Sequence, residues 1–175
     1  MIPLNTVFWV FVLMFGLIGA LRGWGKEILV TFSIIVALAL RLIFSKYVPF
    51  LNNLLTSRTP VEQFYIYTLL MILMVIAGYA GPVVSARLAG KAAREKLQDI
   101  LLGFVLGALN GYLLMGSIWY FLHVANYSFA GVLPPAAGSA AEVFAQNYLP
   151  LQWLTDPWLL TVFVLAAVFL VIVLV

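Results

Sequence analysis

Long apolar runs alternate with short charged connections along this chain, and five of the runs are long enough to cross a bilayer as helices. They cover about residues 4–21, 28–44, 64–84, 100–123 and 157–175. A hydrocarbon core of roughly 30 Å needs about 20 helical residues, and inside it every backbone N–H and C=O must be paired within the segment. The pattern predicts an all-α, polytopic transmembrane protein folded as one membrane domain over residues 1–175, with 124–156 as the long connection before the fifth span.

Shorter signals refine the ends of these elements. Thr59-Pro60-Val61-Glu62 reads as a helix start, because Thr caps, Pro is pre-organised for the first helical position and Glu reaches back to the cap. Gly81-Pro82 removes a backbone donor and crowds the carbonyl of Gly78, which predicts a bend. From residue 87 to 100, Ala89, Ala93, Leu97 and Ile100 fall on one helical side and Arg87, Lys91 and Arg94 on another. This predicts an amphipathic helix on the inner surface, with Arg87, Lys91, Arg94 and Lys96 against lipid headgroups at on the order of 1 kcal/mol each. Ser139 and Glu142 form a capping-box pattern that opens a short helix towards Tyr148, ended by Pro150. Val143, Phe144, Leu149 and Trp153 place that helix in the outer interface, where it either caps the bundle or docks a partner. Asp156-Pro157 supplies the cap and first turn of the fifth span.

Composition agrees with a bilayer setting: 65% of residues are hydrophobic and 9% charged, where soluble domains carry charge on about a quarter. The net charge of +3 calls for no nucleic acid, because the basic residues sort by connection. Arg22, Lys26, Arg87, Lys91, Arg94 and Lys96 fall on one side of the predicted bundle, and Lys46 and Arg58, joined at most by Arg41, on the other. The richer side is expected to be cytoplasmic, with the N-terminus outside, the C-terminus inside and the first span retained rather than cleaved. Trp119, Tyr120, Trp153 and Trp158 would then mark the outer interface and Trp24 the inner one. Arg41, in the last turn of the second span, has a stem long enough to snorkel outward; a buried functional Arg is the alternative.

Candidate chemistry is sparse. The chain has no Cys and one His, His123, so it offers neither a thiolate nor a ligand set for a metal, and no cofactor site or catalytic constellation is expected. Glu27, Glu62, Glu95, Asp99, Glu142 and Asp156 are all expected at span ends or in loops, with only neutral Asn110 deeper. Proton-coupled transport, which needs ionisable groups within the membrane, is disfavoured; a channel between copies stays open.

Gly103, Gly107 and Gly111 recur every fourth residue in the fourth span and share one helix face, and Gly16, Gly19 and Gly23 at the end of the first span offer a matching face. Small residues let two backbones approach and gain van der Waals contact, the main source of helix association in lipid. Around these glycines the chain resembles the colicin V production protein (CvpA-like) family of bacterial inner-membrane proteins. The stretch GLIGALRGWGKEIL is similar to that family's apolar helix, Arg-Gly pair and basic-Glu pair, here Arg22-Gly23 and Lys26-Glu27. The stretch LQDILLGFVLGALNGYLL is similar to its fourth helix, matched by Asp99, Leu102-Gly103 and Gly107, whereas Asn110 stands where the family commonly has Arg or Lys. The family core is four helices, so the fifth span is a departure.

The resemblance implies an inner-membrane protein associated with bacteriocin production or export or with envelope maintenance, with the segment after the fourth helix outside. Together these readings predict a non-enzymatic protein that assists or scaffolds such a process through helix contacts. Arg22, Lys26 and Glu27 would be its cytoplasmic electrostatic element. A homo-oligomeric channel or exporter component, or a small structural subunit of a larger complex, are the alternatives. The expected partners are the lipid bilayer and a second membrane protein or further copies of the chain; no small-molecule substrate is identifiable.

Overall fold

The computed structural model describes residues 3–80, 96–154 and 158–174. These form α1 (Leu4–Arg22), α2 (Trp24–Lys46), α3 (Pro49–Thr56), α4 (Pro60–Ala80), α5 (Lys96–Val124), α6 (Ala140–Asn147), α7 (Pro150–Trp153) and α8 (Trp158–Leu174), with no strand among the described residues. Among the described residues four helices, α1, α2, α4 and Leu97–Val124 of α5, are long and apolar enough to span a membrane. α8 stands where the fifth span was expected and has 17 residues, about 25 Å of helix.

Several helices start for a local reason. α4 opens as expected: Thr59 donates its N–H (2.8 Å) and its hydroxyl (3.0 Å) to the Glu62 carboxylate, and Glu62 N–H reaches Thr59 Oγ1 at 3.3 Å. α6 is capped by Ser139, whose Oγ accepts from Glu142 N–H at 3.2 Å, while the Glu142 carboxylate accepts from Gly138 N–H at 2.6 Å. Pro150 does more than end that helix, since it begins the single turn of α7. α3 was not expected; its short run lacks the length of a span, and Pro49 starts it directly after extended Val48.

Two expected boundaries are corrected. α2 begins at Trp24, not at about residue 28, because the break after α1 is Gly23 alone, at φ +84° and ψ 154°. The charged stretch read as a connection is the first turn of a helix. α5 already includes Lys96, so Leu97 and Asp99 lie in the spanning helix rather than on a separate surface helix. Gly81-Pro82, Arg87, Lys91, Arg94, Glu95 and Asp156-Pro157 lie outside the described residues.

α5 is the central element. α1 packs along its length, α2 and α4 cover another side and pair with each other, and α8 lies against α2. The main core joins Val30, Ile34 and Leu38 of α2, Met71 and Val75 of α4, and Leu113, Leu114 and Phe121 of α5. Large apolar residues left outside, such as Trp9, Leu13 and Leu17 of α1 and Leu69, Leu73 and Ile76 of α4, form the surface that lipid covers.

The bundle has a turn end, at Gly23, and a loop end, where the chain starts and residues 125–154 fold. At the loop end Phe144 of α6 packs on Phe8 (5.2 Å between ring centroids) and Trp119 (5.7 Å). Leu149 and Ala145 are buried, so the segment caps the bundle. Trp119 is 4% exposed and donates its indole N–H to Tyr127 at 3.1 Å, which makes it a core residue and not a belt residue. The turn that follows α5 puts Asn126 and Tyr127 at φ 52° and 53°, a backbone region uncommon outside glycine, held in place by that indole and by His123 Nδ1, 3.2 Å from the Tyr127 hydroxyl.

Candidate functional site

The site begins with backbone contact between α1 and α5. A Cβ on Gly19 would collide with the Gly103 carbonyl oxygen and lie 2.8 Å from Gly107 Cα. One on Gly107 would collide with the Phe15 carbonyl, and one on Gly111 would lie 2.9 Å from Phe15 Cβ. Gly16 is set against the Phe104 ring. The two glycine faces therefore meet each other within one chain, and this seam is part of the protomer's own fold.

The seam brings the α1–α2 turn onto α5 and drives the first turn of α2 into the bundle. Glu27 is fully buried, which corrects its expected position in a connection. Its Oε1 accepts from Arg22 Nη1 at 2.7 Å across the Gly23 turn. Its Oε2 accepts from Asn110 Nδ2 at 3.0 Å, and the same amide donates to the Glu27 backbone carbonyl at 3.0 Å. Asn110, equally buried, accepts at Oδ1 from the Thr31 hydroxyl at 2.6 Å. The Arg22 guanidinium also lies over the Tyr79 ring of α4, 4.1 Å from its centroid. One buried carboxylate thus ties α1, α2 and α5 together, and its cation reaches α4.

Asp99 completes this end from below. Its carboxylate rests against Gly23, close enough that a Cβ there would lie 2.6 Å from Oδ2. It accepts the Trp24 N–H at 3.0 Å. A carboxylate at a helix N-terminus satisfies an otherwise free donor and meets the positive end of the helix dipole, so Asp99 caps α2 from 75 residues away.

Of the sequence-predicted residues, the fold gathers Gly16, Gly19, Gly23, Gly103, Gly107 and Gly111 into the seam and Arg22, Gly23, Glu27 and Asp99 into the charged end. Lys26 is half-buried beside them and is not bonded to Glu27. Asn110, noted as a neutral residue deeper in the span and as a departure from a family pattern, is the hydrogen-bond partner of Glu27. Thr31 and Tyr79 were missed. The i,i+4 spacing of Glu27 and Thr31, one helix face, was the available signal for Thr31; nothing local marks Tyr79.

Every polar atom of the Glu27 carboxylate and Asn110 side chain has a partner in this cluster. A satisfied ion pair of this kind fixes how helices dock, since removing one member strands the other in a low dielectric. Among the described residues no three His, Cys, Asp or Glu side chains converge as metal ligands would.

No curated protein and no solved structure matches the chain. The model of the family described as Colicin V production protein matches residues 4–133. That stretch runs from the first residue of α1 through the seam and the charged end to beyond α5. The chain belongs to the colicin V production protein family.

Proposed function

We propose that this protein performs no chemistry of its own and acts as a scaffold or accessory in the bacterial inner membrane. It assists toxin production or export, or envelope maintenance, through contacts between its helices and those of partners. The charge distribution favours an external N-terminus and a cytoplasmic turn end, where Arg87, Lys91, Arg94 and Lys96 meet headgroups.

The observation that carries this reading is the filled interior. Between the two ends of the bundle Val30, Ile34, Leu38 and Met71 are at most 1% exposed, and at the turn end the cluster around Glu27 satisfies itself. Among the described residues this packing fills the bundle axis with side chains, which favours work at the outer faces. The glycine faces are already used against each other, so in this reading partners meet the lipid-facing surfaces of α1 and α4.

The test is gentle extraction of the tagged full chain from its native membrane, followed by particle mass and identification of what co-purifies. A stoichiometric membrane partner is the expected result. A homo-oligomer alone, which then passes solute in liposomes, would replace the scaffold by a channel formed between copies.

A further inference from the structure

A second guanidinium is taken into the bundle near the loop end. Arg41 lies five residues before the end of α2 and is partly exposed. Its guanidinium carbon sits 5.0 Å from the Tyr67 ring centroid, 5.3 Å from Phe121 and 5.7 Å from Tyr120. The Arg41 Nε is buried without a hydrogen-bond partner. Among the described residues no carboxylate pairs with it; Glu27 pairs with Arg22 and Glu62 with Arg58. Glu62, the acid at the start of α4, is engaged by the Thr59 N–H and hydroxyl.

Aromatic faces hold a cation but accept none of its five N–H bonds in their plane. A permanently charged group left so in an apolar setting is stable only with acceptors supplied from elsewhere. Space for them exists. A cavity of about 60 Å³ is lined by Arg41, Pro60, Gln63, Phe64, Tyr67, Phe121 and Val124, about twice the roughly 30 Å³ that one water occupies in the liquid. Pro60 at its rim is the first residue of α4.

We propose that this cavity is an anion site that takes the unesterified oxygens of a phosphate group. The planar fork of Arg41 donates to two oxygens at once, the geometry for which guanidinium is suited. The aromatic rings hold the fork in place, and the small volume admits the phosphate oxygens while the rest of the molecule stays outside. The phosphate comes either from a phospholipid headgroup of the leaflet at the loop end or from free phosphate.

The test uses the full chain in detergent micelles. One arm adds phosphatidylglycerol, with diacylglycerol as the phosphate-free control, and a second arm adds inorganic phosphate. Thermal unfolding and native mass spectrometry of retained lipid are read for wild type, Arg41→Gln and Gln63→Glu. The last variant adds a carboxylate to the lining that Gln63 shares with Arg41, where it repels an anion, so it keeps the proposal testable should Arg41→Gln fail to fold. Phosphatidylglycerol is expected to stay bound to wild type and raise its unfolding temperature, with apparent affinity on the order of tenfold weaker in either variant. A response to inorganic phosphate with none to the lipid identifies the free anion as the ligand. Equal responses in wild type and a folded variant, or no response of wild type to either phosphate source, overturn the proposal.

Discussion

The two ends of this bundle each enclose an arginine, and they treat it differently. At the turn end Arg22 has a buried carboxylate at 2.7 Å and an aromatic ring at 4.1 Å. At the loop end Arg41 has three rings and no carboxylate among the described residues. The first charge is balanced inside the chain, and the chain gains a fixed docking of α1, α2 and α5. The second is balanced only in part, which turns an ordinary basic residue into a place for something else. Completeness of the local charge balance thus separates an element of the fold from a site for a ligand.

The largest effect is expected at the turn end. Glu27→Ala strands Arg22 and the Asn110 amide and should destabilise the protein by about 3–5 kcal/mol, measured as equilibrium unfolding in micelles. A loss below about 1 kcal/mol, the range of exposed ion pairs, would erase the distinction between the two arginines. Gly107→Leu comes next. It forces a side chain into the Phe15 carbonyl, and overpacking of this kind typically costs about 1–3 kcal/mol. Size-exclusion profiles should show the folded monomer itself depleted, ahead of any change in assembly with partners.

Arg41→Leu, in phosphate-free micelles without added lipid, should cost only about 0.5–2 kcal/mol, the range of a cation over aromatic rings. A loss as large as that of Glu27→Ala would reveal that Arg41 is a completed structural contact. The smallest change calibrates the loop end. Ser139→Ala removes the cap of α6 and should cost about 1 kcal/mol, read as faster hydrogen exchange over Ala140–Asn147 with the turn end unaffected.

Much of this was legible from residue order. The caps at Thr59 and Ser139 are local, made by residues three apart, and a pattern of that length needs no tertiary partner to be read. The glycine spacing pointed to both faces of the seam for the same reason: residues four apart share a helix side. The surroundings of Glu27 were not legible. Its position near charged Arg22 and Lys26 reads as a solvated connection, and only the single-residue break at Gly23 and the cap from Asp99 convert it into a buried turn.

Arg41 repeats that lesson at the other end. Its aromatic surroundings come from Tyr67 of α4 and from Tyr120 and Phe121 of α5, all distant in sequence. By itself the sequence determined the all-helical membrane class, the main spanning helices, the caps at Thr59 and Ser139 and the glycine spacing of α1 and α5, because hydropathy, capping and helical period act over a few turns. The tertiary structure alone decided which charges are buried and which partners they keep. Those depend on where helices far apart in the chain come to rest, and the energy of a charge in an apolar bundle is set by its neighbours in space.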